Sequence, residues 1–261
     1  MSKKYHPYHL VDNSPWPYIL SNGILTLLIG ITLFMHYSII KILFIGAAIV
    51  ITTLVLWFRD IVRESVYNGL HTKQVTLGLK IGMLLFIVSE VLFFFSFFWA
   101  FFNSSLSPNI ELSCSWPPFD IDVLNLLHHP LVNTFFLLFS ATTVTVCHHR
   151  IVEGDKYLAT ESLIATLIFG FWFIYTQYIE YSSSSFCFAD SVYGSTFFIT
   201  TGFHGLHVII GMIFLSITLF RLLDYQFSTN HHFGFEASVW YWHFVDVVWL
   251  FLFICIYWWG S

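Results

Sequence analysis

The sequence predicts an all-α integral membrane protein with seven transmembrane helices. Hydrophobic residues make up 57% of the 261 residues and charged residues only 10%, whereas about a quarter of the residues in a soluble domain are charged. Seven apolar stretches are each long enough to cross a bilayer as a helix, which takes about 17–25 residues. The longest connection between them, 103–130, is too short to form a soluble domain.

The seven spans follow from continuous hydrophobicity, which is typical of membrane helices and not of the alternating strands of a membrane barrel. A polar, proline-broken segment precedes the first span and contains no cleavage-site pattern, so we interpret this span as a retained helix. Only residues 38–41 separate the first two spans, which predicts a tight antiparallel hairpin. The spans are 18–37, 42–58, 81–102, 131–147, 163–179, 192–220 and 237–259.

Lysine and arginine are distributed unevenly between the two sides. If the N-terminus lies inside, nine of the ten Lys and Arg residues fall in inner segments and only Lys41 falls outside. The positive-inside rule therefore predicts an inner N-terminus and an outer C-terminus, which argues against a G-protein-coupled receptor. Because Lys and Arg are outnumbered by 15 acidic residues and form no basic face, no nucleic-acid partner is expected.

Four ionisable residues lie near the predicted middle of the bilayer, Glu90 in the third span, His204 and His207 in the sixth, and Asp246 in the seventh; His243 lies one turn before Asp246. A charge at this depth costs about 2.5–3.5 kcal/mol, so each residue should face protein or be neutral. The three-residue spacing places each pair on one helix face. We interpret the five residues as a buried interhelical polar layer, with a proton relay and a haem or metal site as alternatives.

The sequence predicts no metal site in this chain. It contains no CxxC or HxxxH pair, and the four cysteines are scattered, which is not the pattern of a zinc or copper site. Most of the 13 histidines, His148 and His232 among them, lie at span ends, where we interpret them as interfacial residues.

Five segments are specific enough to identify a family. They are HPYHLVDNSPWP (6–17), RDIVRESVYNGLHT (59–72), SEVLFFFSFFWAFF (89–102), VYGSTFFITTGFHGLHVIIG (192–211) and HFGFEASVWYWHFVDVVWLFLFICIYWWGS (232–261). In this order they resemble subunit III of the haem–copper cytochrome c oxidases, and the resemblance extends over essentially the whole chain.

This resemblance implies an architecture and a location. Helices one and two, in residues 1–72, are expected to splay from a five-helix bundle, residues 73–261, around a V-shaped, lipid-filled cleft. The chain would lie in the mitochondrial inner membrane, with its N-terminus in the matrix and its C-terminus in the intermembrane space. Glu90 would be the buried acid of the family.

The resemblance also implies a role in respiratory complex IV. That complex oxidises cytochrome c, reduces O2 to water and translocates protons, so the chain would belong to an enzyme without carrying a redox centre. Haem and copper would reside in its partner subunits I and II, and cytochrome c would be met only through the complex, which also contains accessory subunits. This chain would stabilise the catalytic core, bind structural phospholipids and support proton uptake.

A cluster of mainly basic side chains is a candidate phospholipid site. Positive groups beside an aromatic ring at the interface can hold a lipid phosphate, and the resemblance implies head groups here, with cardiolipin as one candidate. Positive-inside topology alone is the alternative interpretation. The cluster consists of Trp57, Arg59, Arg63, Glu64, His71 and Arg221.

One alternative function comes from a different class, a stand-alone carrier or channel that uses Glu90 as its ion site. Such a protein would need polar residues at helical spacing on both sides of Glu90. The third span offers only Ser89 and Ser96 in a wall of phenylalanine and leucine, so the sequence favours the accessory subunit.

Overall fold

The computed structural model describes residues 6–110, 114–119 and 121–260. Within these ranges the chain forms seven α-helices and no β-strand, and every helix is long and apolar enough to cross a membrane. The predicted class is therefore confirmed. The helices are α1 (Trp16–Tyr37), α2 (Lys41–Val66), α3 (Lys73–Leu106), α4 (His129–Glu153), α5 (Lys156–Ser183), α6 (Val192–Leu223) and α7 (Phe233–Leu252), which a π-helical segment, Phe253–Trp258, continues.

Most helices extend beyond the apolar stretch that predicted them. The second was expected over 42–58, but α2 continues to Val66, and α3 begins at Lys73 instead of 81. Polar residues at these ends keep helical backbone hydrogen bonding after the chain leaves the apolar layer. Hydropathy detects only the bilayer-crossing part of each helix, so the basic residues after the second span lie on helix and not in a loop.

The chain forms two compact units, Met1–Leu79 and Lys80–Ser261. In the first unit α1 and α2 pack at very close range, because each helix presents a glycine to its neighbour. A Cβ atom added at Gly30 would lie 2.5 Å from the backbone of Leu43, and one at Gly46 would lie 2.5 Å from the backbone of Leu27. Small residues allow this approach, which is how membrane helices gain van der Waals contact.

In the second unit α7 occupies the core. Of its most apolar window 56% is buried, against 6% for α3, which presents most of its surface to the outside of the chain. Two fully buried tryptophans connect α7 to α4: the indole N–H of Trp242 donates to Ser140 Oγ (2.9 Å), and that of Trp249 donates to Thr134 Oγ1 (2.9 Å). Polar bonds between helices thus hold a bundle whose outer faces are apolar.

Candidate functional site

Glu90 on α3 pairs with His207 on α6. Glu90 Oε2 lies 2.8 Å from His207 Nε2, and His207 Nδ1 lies 2.6 Å from the backbone oxygen of Phe203. Because a carbonyl oxygen only accepts, Nδ1 must donate to it, and the bond between Glu90 and His207 then contains a single proton. The proton can reside on the carboxyl or on Nε2, and in either case the pair carries no net charge.

Aromatic rings surround this pair. The rings of Phe94 and Tyr241 lie 4.9 and 6.3 Å from that of His207, measured between centroids. The side chain of Glu90 is 22% exposed, so this acid is only partly buried within the chain. Its helix neighbours Ser89 and Ser96 donate to backbone oxygens of α3, each at 2.6 Å. Neither serine therefore extends the polar pair along the helix.

His204 lies one turn from His207 but faces a different partner. Its side chain is fully enclosed, with 1% exposure, and Nε2 lies 3.2 Å from the backbone oxygen of Val245 on α7. The nitrogen donates to this oxygen, which connects α6 to α7 by a side chain to backbone bond. The ring packs against Trp249 at a centroid distance of 5.2 Å.

His243 and Asp246 form the third group, on α7. His243 Nδ1 lies 3.7 Å from Asp246 Oδ2, and the two side chains are 40% and 7% exposed. Neither carboxylate oxygen of Asp246 accepts a hydrogen bond from the described part of the chain. The five sequence-predicted residues thus occupy three groups, on α3 with α6, on α6 with α7, and on α7 alone.

A buried polar chain around Glu180 was not predicted. Glu180 on α5 is 1% exposed, and its Oε1 accepts from the Tyr257 hydroxyl (2.6 Å) and from Gln177 Nε2 (3.3 Å). Gln177 Oε1 accepts in turn from Asn133 on α4 (3.1 Å), and Thr176 donates to the same asparagine. The predicted fifth span, 163–179, ends one residue before Glu180. The three-residue spacing of Gln177 and Glu180 was the signal that could have found it.

The sequence-predicted lipid cluster is largely on the last turns of α2. Arg59 binds Asp60, with Nη2 3.1 Å from Oδ1, and the other oxygen of Asp60 accepts from the Trp16 indole (2.8 Å). Arg63, one turn further on, is exposed and makes no hydrogen bond or ion pair with the described residues. Its guanidinium is therefore available to a ligand from outside the chain.

The remaining members of the cluster lie in two places. Glu64 contacts His9, with 3.3 Å between Oε2 and Nε2, and the ring of His71 lies 6.3 Å from that of His9. Trp57 is half-buried on α2. Arg221 belongs to the second unit.

Arg221 is held by its own unit at the end of α6. Its Nε donates to Gln226 Oε1 (3.1 Å), and Cζ lies 4.5 Å above the ring of Phe227. A Cβ at Gly234 would lie 2.5 Å from Nη1, so the absence of a side chain there gives the guanidinium its space. The Arg221 guanidinium is thus held in one orientation by Gln226 and Phe227.

The connection between α5 and α6 contains a thiol–carboxylate contact. Cys187 approaches Asp190 through its Sγ (3.0 Å from Oδ1) and its backbone N–H (2.6 Å from Oδ2). Both donors stabilise the carboxylate and hold the pKa of Asp190 below its ordinary value. All four cysteines are free thiols, and Cys114 and Cys187 are exposed.

These features define the class of protein: a multi-pass helical membrane protein in which several buried polar groups are paired between helices. The family model for cytochrome c oxidase subunit III matches residues 6–261. The chain is 54% identical to cytochrome c oxidase subunit 3 of Heterololigo bleekeri over 98% of its length and 99% of the relative. The corresponding protein of Locusta migratoria is 55% identical, with 98% and 97% covered, and that of Struthio camelus is 52% identical over the whole of both chains.

The chain therefore belongs to the cytochrome c oxidase subunit III family. The resemblance predicted from the five sequence segments is confirmed, as is the membrane-spanning character of the chain.

Proposed function

We propose that the chain is the accessory core subunit III of a proton-translocating cytochrome c oxidase. The observation that carries this proposal is the family match over residues 6–261, supported by full-length relatives at 52–55% identity. In this role the chain contributes to an oxidoreductase without performing electron transfer. Haem and copper belong to the partner subunits I and II, with which it assembles in the mitochondrial inner membrane alongside accessory subunits. It stabilises their catalytic core and supports proton uptake.

The exposed surface supports a protein that works in lipid and in contact with partners. The outward residues of α3 include Leu85, Leu92 and Trp99, each more than 60% exposed. An apolar helix with so little internal packing gains its stability from the bilayer or from another subunit. The surroundings of Glu90 also disfavour a stand-alone carrier. Glu90 binds His207, and the hydroxyls of Ser89 and Ser96 are bonded to the backbone of α3, so these serines do not form a polar pathway for an ion.

The test is to purify the chain from mitochondria in mild detergent through an affinity tag. We expect it to migrate on a native gel with oxidase activity and haem absorbance, and mass spectrometry should find subunits I and II in the same band. Migration as a separate protein with ion-flux activity after reconstitution would contradict the proposal and favour the carrier.

We also propose that phospholipid head groups bind at two places, with cardiolipin among the candidate lipids. One lies in the first unit and the other, at Arg221, in the second. The first consists of Trp57, Arg59, Arg63, Glu64 and His71. Two features support it. The exposed guanidinium of Arg63 makes no hydrogen bond or ion pair with the described residues, and that of Arg221 is held in one orientation over Phe227. A guanidinium can contact a phosphate through two parallel hydrogen bonds, which a lysine cannot reproduce. The two arginines act as separate anchors in this proposal.

Lipid analysis of the purified complex tests this site. Arg63→Leu and Arg221→Leu should each lower the number of phospholipids retained per complex. Arg150→Leu is the matched control, because Arg150 is paired with Glu153 at 2.7 Å on another helix end. Equal lipid retention in all three variants would show that these arginines only set topology.

A further inference from the structure

A cluster of two histidines and a glutamate lies apart from all the groups described above. His148 is in the last turns of α4, His232 immediately precedes α7, and Glu236 is in the first turn of α7. One ligand atom from each side chain lies within 4.8 Å of the other two. From the sequence both histidines were interpreted as interfacial, because they lie at span ends. They are 84 residues apart along the chain, so spacing did not indicate that they meet.

The hydrogen bonding of His232 selects the nitrogen that faces the cluster. A tight turn, in which Ser228 and His231 exchange backbone hydrogen bonds of 3.3 Å, positions the residue. His232 Nδ1 lies 2.9 Å from the backbone oxygen of Ser228 and must donate to it. In the neutral ring the opposite nitrogen, Nε2, then has a free lone pair, and a backbone carbonyl of this kind is the usual outer partner of a metal-bound histidine.

A second acceptor lies close to Nε2. Glu236 Oε1 lies 3.4 Å from it, at only 16% side-chain exposure. Two acceptors at this separation repel unless a cation lies between them. A tetrahedral zinc ion places neighbouring nitrogen and oxygen ligands about 3.3 Å apart, which agrees with the observed distance.

The other oxygen of Glu236 is already occupied. Lys80 Nζ lies 2.5 Å from Oε2, which leaves Oε1 to act as a single-oxygen ligand. His148 supplies the third ligand, and its partial exposure gives the site access to solvent.

We propose that His148, His232 and Glu236 bind a zinc ion, with water as the fourth ligand. Imidazole and carboxylate ligands suit this borderline, redox-inactive metal, and three protein ligands with one open position give an exchangeable site. The ion connects the end of α4 to the beginning of α7 and needs no contribution from another chain. The proposal departs from the sequence-based prediction that this chain has no metal site.

The test uses the purified oxidase complex, washed with a chelator and titrated with zinc chloride. Zinc bound per complex is measured by mass spectrometry of the metal. The wild type should bind one zinc more than His232→Asn or Glu236→Gln, whose affinity at this site should fall at least about 100-fold. The matched controls are the neighbouring histidines, His149→Asn and His231→Asn, which should retain the ion.

X-ray absorption at the zinc edge of the wild type gives a second measurement that does not depend on variant folding. The difference spectrum between the wild type and Glu236→Gln should contain two imidazole nitrogens at about 2.0–2.1 Å. Equal zinc in the wild type and both ligand variants would overturn the proposal. The cluster would then be an ion-pair network in which a proton on His232 Nε2 takes the place of the metal.

Discussion

At the residue scale, Glu90 and His207 form a pair that carries no net charge. Glu90 and His207 share one proton, because His207 Nδ1 is already committed to a backbone oxygen. Such a neutral pair avoids the cost of an isolated charge in lipid. The side chain at position 90 must therefore be able to donate a hydrogen bond to His207 Nε2 or to accept one from it.

Replacement of Glu90 tests this requirement. Glu90→Gln retains a donor for His207 Nε2, so the complex should assemble and unfold thermally almost as the wild type does. Glu90→Ala leaves the His207 nitrogen without a partner and should lower stability by about 1–2 kcal/mol. Loss of oxygen reduction by Glu90→Gln in a fully assembled complex would instead show that Glu90 belongs to an obligatory proton path.

The buried carboxyl of Glu180 depends on the hydroxyl of Tyr257. Tyr257→Phe removes the donor 2.6 Å from Oε1 and leaves Gln177 as its single hydrogen-bond donor among the described residues. Thermal unfolding of the complex should show a loss of about 1–3 kcal/mol. Tyr178→Phe is the control on α5, since Tyr178 is 70% exposed and should tolerate the change. Equal losses in the two variants would show that the hydrogen bond between Tyr257 and Glu180 does not contribute to the stability of the complex.

At the element scale, the helices are held together by close packing and interhelical hydrogen bonds, because the hydrophobic effect contributes little between helices in lipid. Lipid tails are as apolar as leucine, so burial of apolar side chains between helices contributes little by itself. The α1–α2 pair relies on glycines at its contact, and the α4–α7 pair relies on tryptophan-to-hydroxyl bonds. Added side-chain volume should therefore destabilise the α1–α2 contact, and removal of a hydroxyl or indole N–H should destabilise the α4–α7 contact.

Alanine substitution tests the glycine contact. Gly30→Ala and Gly46→Ala each place a methyl group 2.5 Å from the backbone of the facing helix, so the helices must separate. The expected loss is about 1–3 kcal/mol per site, measured by denaturation in mixed micelles of increasing denaturing-detergent content. Gly82→Ala should be neutral, because nothing lies within 4 Å of its added Cβ. A neutral result at Gly30 would mean that the hairpin adjusts without loss of stability.

At the scale of the whole molecule, sidedness remains a prediction from the distribution of lysine and arginine. The native cysteines allow it to be tested without engineered labels. Cys114 and Cys187 are exposed in connections that we expect on the outer side, and Cys147 is buried near the end of α4 that we expect on the inner side.

A membrane-impermeant maleimide added to mitoplasts should therefore label Cys114 and Cys187 and leave Cys147 unlabelled. Peptide mass spectrometry identifies the labelled residues, and Cys114→Ser with Cys187→Ser provides the unlabelled control. Labelling of the two cysteines only in inside-out vesicles would reverse the proposed orientation.

The sequence by itself determined the class, the number of helices and the family. A membrane-crossing helix is recognised from the hydropathy of about 20 consecutive residues. Because backbone groups in the bilayer must be hydrogen-bonded within the protein, an apolar stretch of that length can cross the membrane only as a helix or as part of a closed barrel. The long segments shared with subunit III needed no tertiary information either. Helix ends were less well predicted, because helical hydrogen bonding continues after hydropathy falls.

Only the tertiary structure decided which polar groups meet. Glu90 and His207 are 117 residues apart, and their contact depends on how α3 and α6 are rotated about their axes. The same holds for Tyr257 with Glu180 and for His148 with His232. Helix rotation is set by the packing of many side chains at once, whereas spacing along the chain identifies only residues that share a face. Sequence spacing therefore identified Glu90 and His207 as candidates but not Glu180, His148 or His232, and packing between helices decided the partners of all five.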